Sequence, residues 1–253
     1  PDGVKTAEFL LPPADQFSAS NELCDVKIGP SWVKQTASGT CWNFSLHAET
    51  KNLAADLNFS GLVPPWRPGA GKCFFGDLQH YFAWLPSLPY GSVEGTLTYD
   101  GQTRTVRGTG YHDHNWGNCS MLDVIDNWYW GRGQAGPYTV IACLVTAAER
   151  YGLAKFPIFM LAKDGAIIAD DHNKVTFAQS EVHHDEDTGK PVGDLLTYTY
   201  AGDTNFIVSW RRKATILRAK FIDDLHGIKH FLARLIGFDG AYLRFTGELT
   251  VQK

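Results

Sequence analysis

The sequence of 253 residues lacks long apolar runs, and neither sign of charge is in large excess. A membrane-spanning helix needs about 20 predominantly apolar residues in a row, and no stretch of the chain approaches that length. With 23 Lys and Arg against 27 Asp and Glu, the formal net charge of −4 offers no basic surface for a nucleic acid. We therefore expect no membrane span and no nucleic-acid partner. The expected partner is a small molecule, and the oligomeric state is left open.

The five cysteines include no C-x-x-C pair, which excludes a zinc ribbon or a thioredoxin-type motif. Their odd number leaves at least one thiol unpaired, and Cys24 and Cys41, on successive predicted strands, are the expected pair if a disulfide forms. Sequons at Asn43, Asn58 and Asn118 are typical of a secreted glycoprotein, although no signal peptide is visible. Because the sequence does not begin with Met, a secreted and a cytoplasmic location both stay open.

The sequence also lacks the short motifs of common hydrolases and nucleotide enzymes, namely G-x-S-x-G, HExxH, the P-loop and the EF-hand. Gly131–Gly136 (GRGQAG) matches the dinucleotide pattern, but Pro137 and a β-branched run follow where a helix is required. We predict a glycine-rich hairpin turn there. Turn chemistry likewise predicts that His183–Lys190 (HHDEDTGK) is a solvated hairpin loop rather than a cluster of catalytic carboxylates.

Aromatic residues and short alternating strands are abundant. The chain has 8 Trp, 10 Tyr and 15 Phe, which favours an aromatic-lined cavity. From Leu23 onward, segments that alternate apolar and polar residues are bounded by Gly, Pro or Asp, so we predict an all-β, antiparallel protein. Residues 61–92, rich in Pro and Gly, predict a long loop instead. Asp223–Ile236, apolar at helical spacing, predicts one short helix.

Gly110–Asn118 (GYHDHNWGN) concentrates groups that can carry chemistry. On an extended strand, side chains alternate, so Asp113 faces away from His112 and His114. Two histidines two residues apart can share a metal ion, but the glutamate that a cupin-like site expects nearby is missing. A partly buried aspartate can act as a Brønsted acid, and imidazole titrates near neutrality, so proton transfer is a second interpretation. A structural role, satisfying buried backbone groups, is the third.

Two long tracts carry a family resemblance: residues 108–118 (GTGYHDHNWGN) and residues 124–142 (VIDNWYWGRGQAGPYTVIA). With residues 160–171 and 237–248, they resemble the superfamily of hydroxyneurosporene synthases (carotenoid 1,2-hydratases) and AttH-type proteins. Within it, the chain is similar to the fungal branch of kievitone hydratase-like proteins and Diels-Alderases. The likeness runs from about Leu23 onward.

The resemblance implies two tandem lipocalin-like (calycin) β-barrels, an N-terminal domain at residues 1–122 and a C-terminal domain at 123–253, with one short helix near the C-terminus. It implies a hydratase or cyclase of natural-product metabolism that needs neither a cofactor nor a metal. The expected reaction is acid-assisted hydration or cyclisation of an apolar polyketide, terpenoid or prenylated substrate. Two alternatives stay open: a Diels-Alder pericyclase that acts by preorganisation, and a non-catalytic carrier of an apolar metabolite.

The motif also supplies candidate site residues. Asp113 and His114 are the predicted proton donor and its partner, with His112 as the second choice. The Diels-Alderase branch usually has Lys where this chain has His114, whereas the hydratase-like branch has His, which favours acid-assisted chemistry. The predicted substrate-binding residues are all aromatic: Tyr81, Trp84, Tyr111, Trp116, Trp128, Trp130 and Tyr138.

Overall fold

Antiparallel strands dominate the chain, as the alternating pattern predicts. The computed structural model describes residues 8, 10–37, 39–76, 78–220 and 240–253. These residues form sixteen strands, and among them the only α-helix is α1 (Met121–Val124). The prediction of a nearly all-β, antiparallel fold is confirmed. The helix predicted at 223–236 lies outside the described residues.

The described residues divide into two compact units. The first contains the chain up to Val124 together with Ala162–Ile168, and the second contains Ile125–Leu161 together with the chain from Ala169 onward. The division falls between α1 and the strand after it. That residues 1–122 and 123–253 form two lipocalin-like domains stays a prediction. None of the helices within the described ranges has the length and hydropathy needed to cross a membrane.

One eight-stranded antiparallel sheet builds the first unit. Its order is β1-β2-β3-β4-β5-β7-β6, with β8 paired to β7. Alternation gives the sheet a polar face, where Ser45 bonds Asn58, and an apolar face, where Phe44 stacks on Phe59. The strands are β1 (Phe17–Ala19), β2 (Asp25–Ile28), β3 (Ser31–Ala37), β4 (Asn43–Glu49), β5 (Ala54–Gly61), β6 (Lys72–Phe75), β7 (His80–Tyr99) and β8 (Gln102–Gly117).

The long loop predicted at residues 61–92 is wrong over much of its length, because β6 and the first half of β7 lie within it. Pro86 and Pro89 concealed the strand, since proline lacks the N–H that a ladder needs and breaks the alternating pattern. The structure accommodates both prolines in β-bulges, where the pairing of β7 with β8 shifts between Leu85 and Leu88 and again between Leu88 and Gly91.

Two four-stranded antiparallel sheets follow α1, with orders β12-β11-β10-β9 and β13-β14-β15-β16. The β11–β12 hairpin turns at Asp164 and Gly165, whose φ values of 48° and 83° suit a tight two-residue turn. The strands are β9 (Ile125–Ala135), β10 (Tyr138–Ala147), β11 (Lys155–Lys163), β12 (Ala166–Ala169), β13 (Val175–His184), β14 (Pro191–Tyr200), β15 (Phe206–Lys220) and β16 (Ala241–Gln252).

The core of the second unit draws on both of these sheets. Phe159 of β11 stacks on Tyr198 of β14 and on Tyr200, and all three side chains are buried. Gly131 and Gly133 of β9 leave room for larger neighbours, since a Cβ on Gly133 would lie 2.9 Å from Leu249. The glycine-rich segment is therefore strand up to Ala135, and only its last glycine belongs to the turn that was predicted.

Across the described ranges, no sheet closes on itself, so the hydrogen-bonded ladders are open rather than barrels. Alternation in a sequence specifies which face of a strand is buried but does not specify which edges pair, and closure depends on those edges. The expected Cys24–Cys41 disulfide is also not formed, because both residues are thiols.

The hairpin loop predicted between β13 and β14 is present, but it is not solvated throughout. The Asp185 carboxylate is 3 % exposed and accepts hydrogen bonds from the backbone N–H and hydroxyl of Thr188 and from Nε of Arg218. An acidic run reads as surface in a sequence because the arginine that pairs with this carboxylate lies 33 residues further along the chain.

Candidate functional site

The pairing of β7 with β8 brings the motif residues next to β7. Asn115 lies opposite Trp84, and His112 lies opposite Leu88. Because side chains alternate along β8, Asp113 extends from one face of the strand and His112 from the other. The motif therefore contributes to two separate groups of side chains, which we call the Asp113 group (Trp66, Trp84, Tyr111, Asp113, Asn115) and the His112 group (Trp42, Phe44, Ser87, His112).

The Asp113 carboxylate is half-buried and held by strong donors. Oδ2 accepts hydrogen bonds from Nε1 of Trp84 at 2.8 Å and from the hydroxyl of Tyr111 at 2.6 Å. Oδ1 has a contact of 3.5 Å with the side-chain nitrogen of Asn115, which is long for a hydrogen bond. The carboxylate thus has one oxygen engaged by two donors and a second oxygen that is weakly engaged.

The donor Trp84 is itself held in place. Its ring is 4 % exposed and packs edge-on against Trp66, with ring centroids 6.0 Å apart. The backbone N–H of Trp66 donates to the carbonyl of Pro86, which ties the segment after β5 to the bulge of β7. Buried indole rings with fixed neighbours give the Trp84 donor one orientation, aimed at Asp113.

His112 lies among aromatic side chains on the other face. Its ring is 5.2 Å from that of Trp42 and 5.3 Å from that of Phe44, and Nδ1 lies 2.7 Å from Oγ of Ser87. Burial lowers the pKa of His112, His114 adds to that effect, and the charge of Asp113 opposes it. The imidazole is therefore neutral near pH 7.

The other predicted residues of the first unit lie around these two groups. His114, the predicted partner of Asp113, is exposed and packs edge-on against Trp116, which is 36 % exposed. Both extend from the face of β8 opposite Asp113. Tyr81 of β7 has the ammonium of Lys72 4.2 Å from its ring centroid. The geometry thus associates Asp113 with Trp84 and Tyr111, and His114 with Trp116.

The remaining predicted aromatics belong to the second unit. The ring centroids of Trp128 and Tyr242 are 6.2 Å apart. Tyr138 packs edge-on against Phe206, next to the hydrophobic core of the second unit. Trp130 is 38 % exposed. Within the described ranges, no three His, Cys, Asp or Glu side chains are grouped so that they could hold a metal ion.

Comparison with known proteins shows which family this chain matches. Residues 64–223, which include both groups' β7 and β8 members, match the Diels-Alderase-like family. This chain belongs to the Diels-Alderase-like family. The predicted resemblance to the hydratase and Diels-Alderase branch is confirmed.

Three known proteins are similar to this chain in sequence or in fold. A quinolone epoxide rearrangement protein from Penicillium thymicola is 39% identical over 75 residues, which cover 30% of this chain and 20% of that protein. An AttH-type protein from Nitrosomonas europaea has the same fold with a TM-score of 0.60 and 14% identity, covering 92% of this chain and 67% of that one. Kievitone hydratase from Nectria haematococca matches at a TM-score of 0.52 and 16% identity, over 80% and 65% of the chains. The curated relative is thus matched over about one fifth of its length.

Sequence reasoning on this Diels-Alderase-like chain missed four members of the two groups that lie outside the motif: Trp42, Phe44, Trp66 and Ser87. Ser87 lies in the segment that was predicted as a loop, and Trp42 and Trp66 lie outside the motif. A weak signal for Ser87 was present in LPSLPY, residues 85–90, because two prolines in a strand demand bulges and a bulge redirects the residue beside it. No local pattern indicates Trp66, since its contact with Trp84 depends on the path of the chain after β5.

Proposed function

We propose that this chain forms part of an enzyme of natural-product metabolism in which Asp113 exchanges a proton with a small apolar substrate. The reaction is an acid-assisted cyclisation, rearrangement or hydration at an alkene or an epoxide, without a cofactor. The observation that carries the proposal is the pair of short hydrogen bonds that Trp84 and Tyr111 donate to a single oxygen of a half-buried carboxylate.

These two donors act when the proton leaves. With the proton on Oδ1, its transfer to an alkene carbon or an epoxide oxygen leaves a cationic substrate and a carboxylate. Negative charge then develops on Asp113 beside the fixed donors of Trp84 and Tyr111, and preorganised donors stabilise such charge more than mobile water does. Capture of the cation by water, or loss of a proton from it after ring closure, returns a proton to Oδ1 and completes the cycle.

Aromatic rings beside the carboxylate suit the cationic stage. The electron-rich face of an indole attracts a cation by about 0.5–2 kcal/mol. Trp84 donates to Asp113 and packs edge-on against Trp66, so two buried indoles lie on the side of β8 that carries the carboxylate. An apolar substrate that meets Oδ1 would thus meet aromatic surface as well.

The names of the relatives support this class of reaction. Epoxide rearrangement and hydration both proceed through proton transfer to a neutral substrate, and relatives named for them share this chain's family or fold. Their substrates are small natural products, which agrees with the expected partner. Because the chain spans only a part of those proteins, the activity of the whole protein belongs to the proposal.

The experiment uses the natural full-length protein and three probes: a quinolone epoxide, a prenylated phenol, and a linear polyene that carries a diene and a dienophile. Products are resolved by mass, since rearrangement and cyclisation keep the mass of the substrate and hydration adds a water. Asp113→Asn should lower the rate by about 100-fold or more, as loss of a general acid does.

Asp56→Asn is the matched control, because Asp56 is a strand aspartate of the same unit that bonds His47 on the polar face. It should keep the rate, and circular dichroism should show both variants folded. A folded Asp113→Asn protein with an unchanged rate on every converted probe would refute the role of Asp113.

The family name favours a second candidate, a pericyclase that folds its substrate into a reactive conformation. Preorganisation alone can lower a barrier by several kcal/mol, and no titrating group takes part. This candidate predicts that only the polyene is converted, at a rate that is flat with pH and unaffected by Asp113→Asn. Probes that bind and are recovered unchanged would instead indicate a carrier.

A further inference from the structure

The two bulges of β7 place Ser87 beside His112. Pro86 and Pro89 cannot donate to a ladder, and on each side of Leu88 the strand has one residue more than β8. Ser87 is thereby turned toward His112, with Oγ 2.7 Å from Nδ1 of the imidazole and 3.4 Å from the carbonyl oxygen of the same residue. A serine hydroxyl reaches both a ring and a backbone atom of one histidine.

The two contacts favour one tautomer of the imidazole. The hydroxyl has a single proton, so it makes both contacts, the second a weak one at 3.4 Å, only by donating to the carbonyl oxygen and accepting from Nδ1–H. If it donated to Nδ1 instead, the contact with the carbonyl oxygen would have no proton. The arrangement that uses both contacts leaves Nε2 without a proton.

An unprotonated Nε2 on this face is chemically useful. His112 packs against Trp42 and Phe44, so its surroundings are apolar and favour the neutral ring. A neutral imidazole with a lone pair on Nε2 can accept a proton or a hydrogen bond from a hydroxyl of a ligand. The opposite face of β8 carries Asp113, the proposed acid.

We propose that Ser87 is a positioning residue that holds His112 as its Nδ1–H tautomer, so that Nε2 serves as a base on the apolar face of the first unit. The base would take a proton from a hydroxyl or enol of the same class of apolar substrate, and the imidazolium would return it to solvent. This catalytic consequence rests on the proposed function, whereas the tautomer itself does not.

Nuclear magnetic resonance tests the tautomer without a substrate. In the full-length protein labelled with ¹⁵N-histidine, the long-range ¹H–¹⁵N spectrum near pH 7.5 should show His112 protonated at Nδ1 and bare at Nε2. Ser87→Ala should move the ring toward the Nε2–H tautomer, and Ser87→Thr should restore the wild-type pattern. Ser45→Ala, which removes a hydroxyl that bonds Asn58 on the polar face, should leave the His112 signals unchanged.

Two results would overturn the proposal: a wild-type His112 protonated at Nε2, or a Ser87→Ala protein with the wild-type tautomer. On a converted probe, Ser87→Ala should lower kcat about tenfold or more with little change in KM. If Asp113→Asn keeps the wild-type activity but Ser87→Ala changes the tautomer of His112, the proposed function fails and the positioning role of Ser87 stands. If Ser87→Ala keeps the wild-type tautomer while Asp113→Asn loses activity, the positioning role fails and the proposed function stands.

Discussion

The two donors to Asp113 should be measurable as a coupling energy that requires no substrate. Tyr111→Phe removes one hydroxyl and keeps the ring, so the main loss is the 2.6 Å hydrogen bond to Oδ2. A hydrogen bond to a charged group contributes about 1.5–3 kcal/mol, and the lower part of that range applies to a half-buried carboxylate that water can partly solvate. We expect Tyr111→Phe to lower the free energy of unfolding by about 1–2 kcal/mol.

Trp84→Phe removes the second donor and also shrinks a buried ring. Its cost should be larger, about 2–4 kcal/mol, because a cavity adds to the lost hydrogen bond. Trp66→Phe, the same truncation on the neighbouring buried indole, is the control for ring size. A larger cost for Trp84→Phe than for Trp66→Phe is the expected result.

The decisive measurement is the double-mutant cycle of Tyr111→Phe with Asp113→Leu. Without the acceptor, removal of the hydroxyl should cost little, so the cycle should give a coupling of about 1–2 kcal/mol. Chemical denaturation followed by circular dichroism supplies the four free energies, provided that the transition of the first unit is resolved. A coupling below about 0.5 kcal/mol would show that the hydrogen bond contributes nothing of note, and the argument for a stabilised carboxylate would fail with it.

Three further predictions concern pH and packing. Burial lowers the pKa of His112, so the unfolded chain binds more protons at that site, and the contribution of His112 to stability should be present above about pH 6.5 and lost as pH falls below it. Denaturation at pH 7.5 and at pH 5 should show that the free energy of unfolding of wild type falls relative to that of His112→Phe in acid. A difference between the two proteins that does not change with pH would contradict the burial argument. Although burial alone raises the pKa of Asp185, hydrogen bonds from Arg218 and Thr188 outweigh it and hold the pKa at about 2. Asp185→Asn should lower the free energy of unfolding by about 2–3 kcal/mol at pH 7, and this loss should fade between pH 4 and 2. A loss that does not depend on pH would exclude the carboxylate as its cause. Gly95→Ala should lower the free energy of unfolding by at least about 3 kcal/mol, because φ is 153° and the added Cβ would lie 2.0 Å from the carbonyl oxygen of Asp56. Gly108→Ala on β8 is the control, because its Cβ would meet nothing within 4 Å. Equal thermal unfolding of the two variants would refute the steric argument.

Sequence reasoning succeeded where one local pattern decides the structure. Alternation along β8 correctly separated Asp113 from His112, because the period of a strand is fixed by the backbone. The Asp-Gly pair at 164–165 carries a local signal of the same kind, since few residues adopt the positive φ values that its turn requires. The family resemblance in GYHDHNWGN was specific enough to be confirmed over most of the chain.

The failures share a physical cause, which is that distant partners change what a local pattern means. Asp185 reads as a surface residue until Arg218 of β15 is placed beside it. Pro86 and Pro89 read as loop residues until the partner strand β8 shows that bulges absorb them. Barrel closure could not be derived either, because it depends on pairing between strand edges rather than on the alternation within a strand.

The motif itself illustrates why a cluster in sequence is not yet a cluster in space. HDH suggests one site with three titrating groups, yet a strand sends its middle residue to the opposite side from its neighbours. Each side then acquires its own partners: Trp84 and Tyr111 donate to Asp113, whereas burial beside two aromatic rings lowers the pKa of His112, and Ser87 lies at its Nδ1. The alternation of the strand therefore decides which partners each side chain of the motif can acquire.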